Sequence, residues 1–410
     1  MERNKDYRET ERLILMAVGS KMNDAERGAL LPPGLRDTLP DDAECEALLL
    51  EGLMGVFSAN GYQRVKTPLI EFEDSLLSGA GKAVGNQTFR MMDPISQRMM
   101  GVRADITPQI SRIARSRLAN AARPLRLSYA GEVLRVKGTQ MQPSRQLTQV
   151  GAELIGSAAS EADAEIIVMA IKAIEHAGVR DISVDLTVPR LIPRLFSHFE
   201  VSGQKEHLIR AALDRKDFSA LSSIGGELPG ILKVLLQATG SASEGLSMLQ
   251  SAALPQIARG EIDRLSEIFG LVSDRTPETQ LTIDPVEYRG FEYHTGLGFT
   301  IFSQGLSFEL ASGGRYRVSG VNEEEGERAT GVTLYLDAII GAGKKPKDRA
   351  RILVPADTSY DRLSGLHREG WVTVSALDER GALDKVASLL GCNYVLDADG
   401  PRPTEVNAKR

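Results

Sequence analysis

One ten-residue stretch, Gln146-Leu147-Thr148-Gln149-Val150-Gly151-Ala152-Glu153-Leu154-Ile155, holds side chains well suited to gripping a ligand. Its alternation reads as a β-strand, with successive side chains on opposite faces. Gln149, Gly151 and Glu153 then share one face. The amide and the carboxylate supply hydrogen-bonding groups. The glycine between them lets another group come close to the backbone. Taken alone, the pattern more readily describes a strand with one solvated outer face.

Two other stretches add chemistry. Tyr288-Arg289-Gly290-Phe291-Glu292-Tyr293-His294-Thr295-Gly296 places Arg289 and Tyr293 on one side of an extended chain. A guanidinium fork suits a carboxylate, and tyrosine brings a ring and a hydroxyl. A core tyrosine beside a surface ion pair would read the same way. In Ala311-Ser312-Gly313-Gly314-Arg315-Tyr316, paired glycines stand next to an arginine. By itself this reads as a β-turn.

These stretches need elements to position them. Apolar residues at helical spacing predict a helix capped by Asp41 or Asp42 and stopped by Asn60-Gly61. A short strand at Tyr62–Val65, a strand at Arg98–Val102 and a helix through Ile110 and Ile113 follow. Leu125, Leu127 and Tyr129 alternate with polar residues, so this segment and Gln146–Ile155 form a hairpin with a long polar loop. Ser160 caps a helix ended by Gly178, and a strand runs from Asp181 to Thr187. Residues 188–275 are helical in pattern and read as an insertion. Strands resume at Gln280–Asp284, Phe299–Phe302 and Ser307–Leu310, and Gly331–Ile340 reads as an apolar helix. After a charged linker, residues 351–397 alternate as β-α-β-α-β, and the last residues look frayed. Helices around a mostly antiparallel sheet make the fold class α+β. The expected divisions are an arm over 1–30, a core over 31–345, a small α/β piece over 346–398 and a tail over 399–410.

Composition narrows the function. The chain has 410 residues and a net charge of −6, a balance that gives no general attraction to a polyanion and argues against nucleic acid. Its two cysteines, Cys45 and Cys392, build neither a disulfide framework nor a zinc site. The five histidines are scattered without metal-ligand spacing. The charged N-terminus lacks a signal-peptide pattern, and no apolar run reaches the ~20 residues of a membrane span. The expectation is a cytoplasmic protein without metal or cofactor.

Leu31-Pro32-Pro33-Gly34-Leu35-Arg36-Asp37, Gly61-Tyr62 with Pro68, and Leu134-Arg135 through Arg145 to Glu153 then fall into a known order. Together with Tyr288–His294, Gly313-Gly314-Arg315-Tyr316 and residues 331–340, they resemble the class II aminoacyl-tRNA synthetase core in its histidyl form. Residues 351–397 resemble a shortened anticodon-binding domain. The resemblance implies a pocket for free histidine. Asp105, Thr107 and Gln149 would hold the α-ammonium, and Arg135 or Arg289 the carboxylate. Glu153 would face the imidazole, with Tyr293 and His294 beside the ring and Gly313, Gly314 and Arg315 completing the site.

The departures fall on the nucleotide side. Lys137, Pro143 and Ala338 stand where the family has an acidic residue and two arginines that serve ATP. Adenylation depends on such charges. A histidine site without an adenylation site resembles the regulatory subunits of short-form ATP phosphoribosyltransferase. That resemblance implies a non-catalytic chain, a short catalytic partner, a homodimer within a hetero-octamer, and free L-histidine as effector. A divergent histidyl-tRNA synthetase is the alternative.

Overall fold

The computed structural model describes residues 30–138, 142–288, 294–306, 308–318, 326–343, 349–377 and 383–404. It divides into two units, Met1–Lys344 and Lys345–Arg410.

The first unit opens with α1 (Pro40–Ala59), β1 (Gln63–Arg64), β2 (Ile70–Phe72), α2 (Glu73–Leu76), β3 (Phe89–Met92) and β4 (Met99–Val102). Next come α3 (Thr107–Arg115), β5 (Leu125–Leu134), β6 (Gln146–Ile155), α4 (Ser160–His176) and β7 (Ile182–Thr187). A helical stretch holds α5 (Leu191–His198), α6 (Gly203–Asp214), α7 (Phe218–Ser223), α8 (Leu228–Gln237), the short β8 (Gly240–Ser241), α9 (Ala242–Ser251) and α10 (Gln256–Ser273). The unit closes with β9 (Gln280–Asp284), β10 (Gly298–Ser303), β11 (Ala311–Val318), β12 (Glu327–Tyr335) and α11 (Leu336–Ala342).

Nine strands form one sheet in the order β1-β5-β6-β12-β11-β10-β7-β9-β8, and β2-β4-β3 form a separate small sheet. Only the β1–β5 and β7–β9 neighbours of the large sheet run parallel, so the α+β expectation holds. Alternation along β6 explains the layering. Val150, Ala152 and Leu154 point to one face and join the main core with residues of α1 and α4, while α10 packs on α4. Leu147 and Ile155 point to the other face, where Ile106 and Ile110 cover them. Gln149, Gly151 and Glu153 lie on this second face and are buried, not solvated.

Several local expectations change. The apolar run at Gly331–Ile340 is strand as far as Tyr335 and helix only from Leu336. It is buried on both faces, so its polar alternation is muted. Gly313 and Gly314 lie inside β11 and not in a turn. No strand forms at 308–310, where only Leu310 leads into β11, and Ser307 lies outside the described residues. The cap positions of α1 and α4 are Leu39 and Ala159, neither with a side-chain capping bond. Pro40 starts α1 instead, its missing N–H harmless in the first turn. Ser160 donates to Glu267.

The second unit contains β13 (Arg351–Pro355), α12 (Tyr360–Arg368), β14 (Val372–Ala376), α13 (Leu383–Leu389), β15 (Tyr394–Asp397) and β16 (Gly400–Pro403). Its sheet runs β14-β13-β15-β16. The stretch that looks frayed in sequence supplies β16, antiparallel to β15. Among the described residues no helix is long and apolar enough to cross a membrane.

Candidate functional site

Strand register assembles the pocket. Glu153 on β6 faces Gly331 on β12, which faces Gly314 on β11. One step away, Tyr129, Gly151, Thr333 and Ser312 form the neighbouring row across four strands. The glycines clear space. A Cβ on Gly331 would sit 1.7 Å from Glu153 Oε2, and one on Gly314 would sit 2.5 Å from His294 Cδ2. These are gaps in a sheet surface that let side chains lie flat on it. Gly151 works in the same way, but the group that fills its gap is the Tyr129 ring, 2.3 Å from such a Cβ.

Glu153 is fully buried among hydroxyls. Thr107 donates to Oε1 at 3.0 Å and the Tyr316 hydroxyl donates to Oε2 at 2.9 Å. The Tyr129 hydroxyl lies 3.5 Å from Oε1 and bonds Thr333 Oγ1 at 2.9 Å. Burial pushes the Glu153 carboxyl up to about 8, against the opposing pull of the Tyr316 and Thr107 hydrogen bonds. Burial likewise raises Tyr129 and Tyr316 well above the ordinary phenol value, so both stay protonated. At neutral pH the pocket therefore holds a carboxyl that is mostly protonated. A ligand with N–H donors or positive charge would favour its ionised form.

A second group adjoins it through Thr107. Asp105 Oδ1 accepts from the Thr107 backbone N–H at 2.8 Å, and Oδ2 accepts from Gln149 Nε2 at 3.0 Å. Gln149 Oε1 in turn accepts from the Ile106 N–H at 3.1 Å, which fixes the amide orientation. Asp105, Thr107, Gln149, Glu153, His294, Gly313 and Gly314 are thus brought to one region. The open space beside Glu153 is only about 10 Å³, room for about one water. A histidine there requires the lining to part.

Arg315 lies elsewhere, which corrects its place in the expected pocket, and Arg135 lines a second cleft. Arg315 leaves β11 on the face opposite Tyr316. Its Nε donates to both Asp163 oxygens at 2.9 Å, and its other nitrogens donate to the Ser157 and Ala159 carbonyls. The fork is filled from within the protein. Arg289 and Tyr293 fall outside the described residues.

Arg135 lines a cleft of about 830 Å³, together with Arg36, Pro143, Glu309, Asp337 and Ala338. This is where the substituted positions Pro143 and Ala338 meet. The two guanidiniums there face two carboxylates. Arg36 reaches Asp337 at 3.3 Å. Burial raises the Glu309 carboxyl, while Arg135 and the Tyr335 hydroxyl pull it back. Arg145 is spent on the backbone, donating to the Arg135 and Pro33 carbonyls at 3.2 Å each. Among the described lining residues, two guanidiniums thus stand beside two carboxylates.

The histidyl-tRNA synthetase family pattern matches residues 34–339. An ATP phosphoribosyltransferase regulatory subunit from Paramagnetospirillum magneticum is 48% identical over 379 residues, covering 92% of this chain and 99% of that protein. The chain belongs to the ATP phosphoribosyltransferase regulatory subunit family. The fold of this family member is similar to a solved regulatory subunit/histidyl-tRNA synthetase from Bacillus halodurans. Their TM-score is 0.73 at 22% identity, covering 88% of this chain and 96% of that one. It is also similar to a chain of the ATP phosphoribosyl transferase (HisG:HisZ) complex from Thermotoga maritima. There the TM-score is 0.55 at 16% identity, over 71% of this chain and 97% of that one.

In this regulatory subunit family member, sequence reasoning misses Tyr129, Tyr316, Gly331 and Thr333, all of which shape the pocket. The usable signal for Tyr316 is strand alternation, which sets it opposite Arg315. Reading Gly313-Gly314 as a turn hides that signal. Gly331 is obscured because its run reads as helix.

Proposed function

We propose that this chain is a non-catalytic regulatory subunit of ATP phosphoribosyltransferase, which opens histidine biosynthesis, and that it senses free L-histidine at the Glu153 pocket. The names of its relatives support the regulatory role. The observation that carries the sensor reading is the contrast between the two cavities. One keeps a carboxylate, an amide and hydroxyls around Glu153. The other has Ala338 and Pro143 among its lining, and its Arg36 is paired with Asp337.

In this reading the α-ammonium meets Asp105, Thr107 and Gln149, and the imidazole meets Glu153 beside His294. Arg289 and Tyr293 are proposed to complete the site, and the partner is a short catalytic subunit. The homodimer, the hetero-octamer and the cytoplasmic location remain part of the same proposal. Regulation is two-state coupling. The subunit favours an active arrangement of its partner, and histidine favours a less active one. The size of the effect is set by the differential affinity of histidine for the two arrangements.

Calorimetric titration of the full chain with L-histidine, and in parallel with ATP, tests this. Histidine binding without ATP binding is expected, followed by stimulation of a short phosphoribosyltransferase and its reversal by histidine. ATP binding that tightens histidine would return the chain to the synthetases.

A further inference from the structure

A separate concavity of about 270 Å³ is lined by Arg190, Arg194, Arg264, Arg315, Arg317 and Arg328, with Glu261 and Gly296. Arg315 and Arg317 enter it from β11, Arg328 from β12, Arg264 from α10 and Arg194 from α5. Six guanidiniums gather there in a chain whose net charge is −6.

Among the described residues two carboxylates answer them. Asp163 takes Arg315 and, at 3.1 Å, Arg264. Glu261 pairs with Arg194. Glu327, next to Arg328 in the chain, is engaged by Arg123. Further contacts are to carbonyls, which orient a guanidinium without neutralising it. Arg190 donates to the His294 carbonyl at 3.2 Å and Arg264 to the Ala158 carbonyl at 2.7 Å. Arg264 Nε is buried with no hydrogen-bond partner among the described residues. Burial, and then the like charges of Arg264 and Arg328, work to lower the Arg315 guanidinium below its ordinary value, with Asp163 opposing. Like charges held this close repel, and a bound anion relieves that repulsion.

We propose that this cavity binds a small phosphate-class anion at the exposed guanidiniums of Arg190 and Arg328, above the internally paired Arg315. Guanidinium forks match phosphate oxygens two at a time. The volume lies just under the ~300–1,000 Å³ usual for drug-sized ligands. That points to one or two phosphate groups and not to a nucleotide. The acidic residues Glu323, Glu324 and Glu325 lie between β11 and β12 in sequence and outside the described residues. The proposal stands apart from the histidine reading, because it shares no residue with the Glu153 pocket.

The test is calorimetric titration of the full chain with sodium pyrophosphate and with inorganic phosphate at low salt. Pyrophosphate is expected to bind more tightly than phosphate and to weaken as salt rises. The double variant Arg190→Gln, Arg328→Gln is expected to weaken it at least about 10-fold, a loss of about 1.4 kcal/mol, with an unchanged melting temperature. Arg36→Gln, in the other cleft, is expected to leave binding intact. The proposal is overturned by absence of millimolar binding to the wild type. Binding indifferent to the Arg190/Arg328 variant, or weakened as much by Arg36→Gln, overturns it as well.

Discussion

Two buried carboxylates, ten positions apart in sequence, meet opposite surroundings. Glu153, in β6, is held by hydroxyl donors from Thr107 and Tyr316. Asp163, in the first turn of α4, is held by the guanidiniums of Arg315 and Arg264. Tyr316, which serves Glu153, and Arg315, which serves Asp163, are consecutive residues of β11 that leave it on opposite faces. An internal cation makes Asp163 part of the architecture. Hydroxyls alone leave Glu153 with a proton to lose and room in its chemistry for a cationic or N–H-bearing ligand. One strand thus separates a structural acid from a responsive one.

The largest effect is expected where that separation is structural. Asp163→Ala strands the Arg315 guanidinium, which is 3% exposed, without its counter-charge. Breaking a buried pair in this way costs about 3–5 kcal/mol. Denaturant unfolding at pH 7 measures it. A loss below about 1 kcal/mol would erase the distinction between the two acids.

Next comes the pH dependence that Glu153 carries. The folded carboxyl titrates near 8, whereas its ordinary value is 4.5. Between these values the folded chain keeps a proton that the unfolded chain has released. Stability from this group is therefore fully present below about 4.5 and falls as pH rises toward 8. Glu153→Gln is expected to flatten this slope, with a difference of order a few kcal/mol by pH 8. The same variant is expected to lose histidine binding at least about 10-fold. Unfolding curves at pH 5, 6, 7 and 8 decide the first point, and an unchanged slope would mean that Glu153 ionises freely.

Gly331→Ala probes the floor beneath that carboxylate. The new methyl would meet Oε2 and force Glu153 off its hydroxyl donors. An overpacking penalty of about 1–3 kcal/mol is expected, together with loss of histidine binding. Full binding by a stably folded variant would show that Glu153 need not lie over Gly331.

How far the sequence reveals this contrast depends on the strand. β6 is legible because Gln149, Gly151 and Glu153 alternate with the apolar Val150, Ala152 and Leu154, so their shared face follows directly. β12 is not, because Gly331–Tyr335 offers no such contrast and passes for helix. β11 fails for a different reason. Its glycines look like punctuation, yet a Cβ on Gly313 would strike the Gly331 carbonyl at 2.2 Å and the Phe299 ring at 2.6 Å. They are absences of side chain demanded by partners distant in sequence. The same blindness places Arg315 in the histidine pocket. Asp163 lies 152 positions away, and no local pattern announces the pair.

The smallest expected effect is the most selective. Tyr129→Phe keeps the ring that fills the gap over Gly151 and removes only the hydroxyl. That hydroxyl bonds Thr333 at 2.9 Å and Thr107 at 3.2 Å, while its approach to Glu153 is 3.5 Å. Thr107 retains Glu153 as a partner, so the stability loss should be about 1 kcal/mol. With one weak donor fewer, the Glu153 carboxyl should titrate slightly higher, and the pH slope should persist and steepen slightly. Tyr316→Phe removes the nearer donor at 2.9 Å and should shift that titration further upward. If Tyr129→Phe moves it more, the hydroxyl hierarchy around Glu153 is the reverse of what these distances imply. The carboxylate would then lean toward β5 and not toward β11.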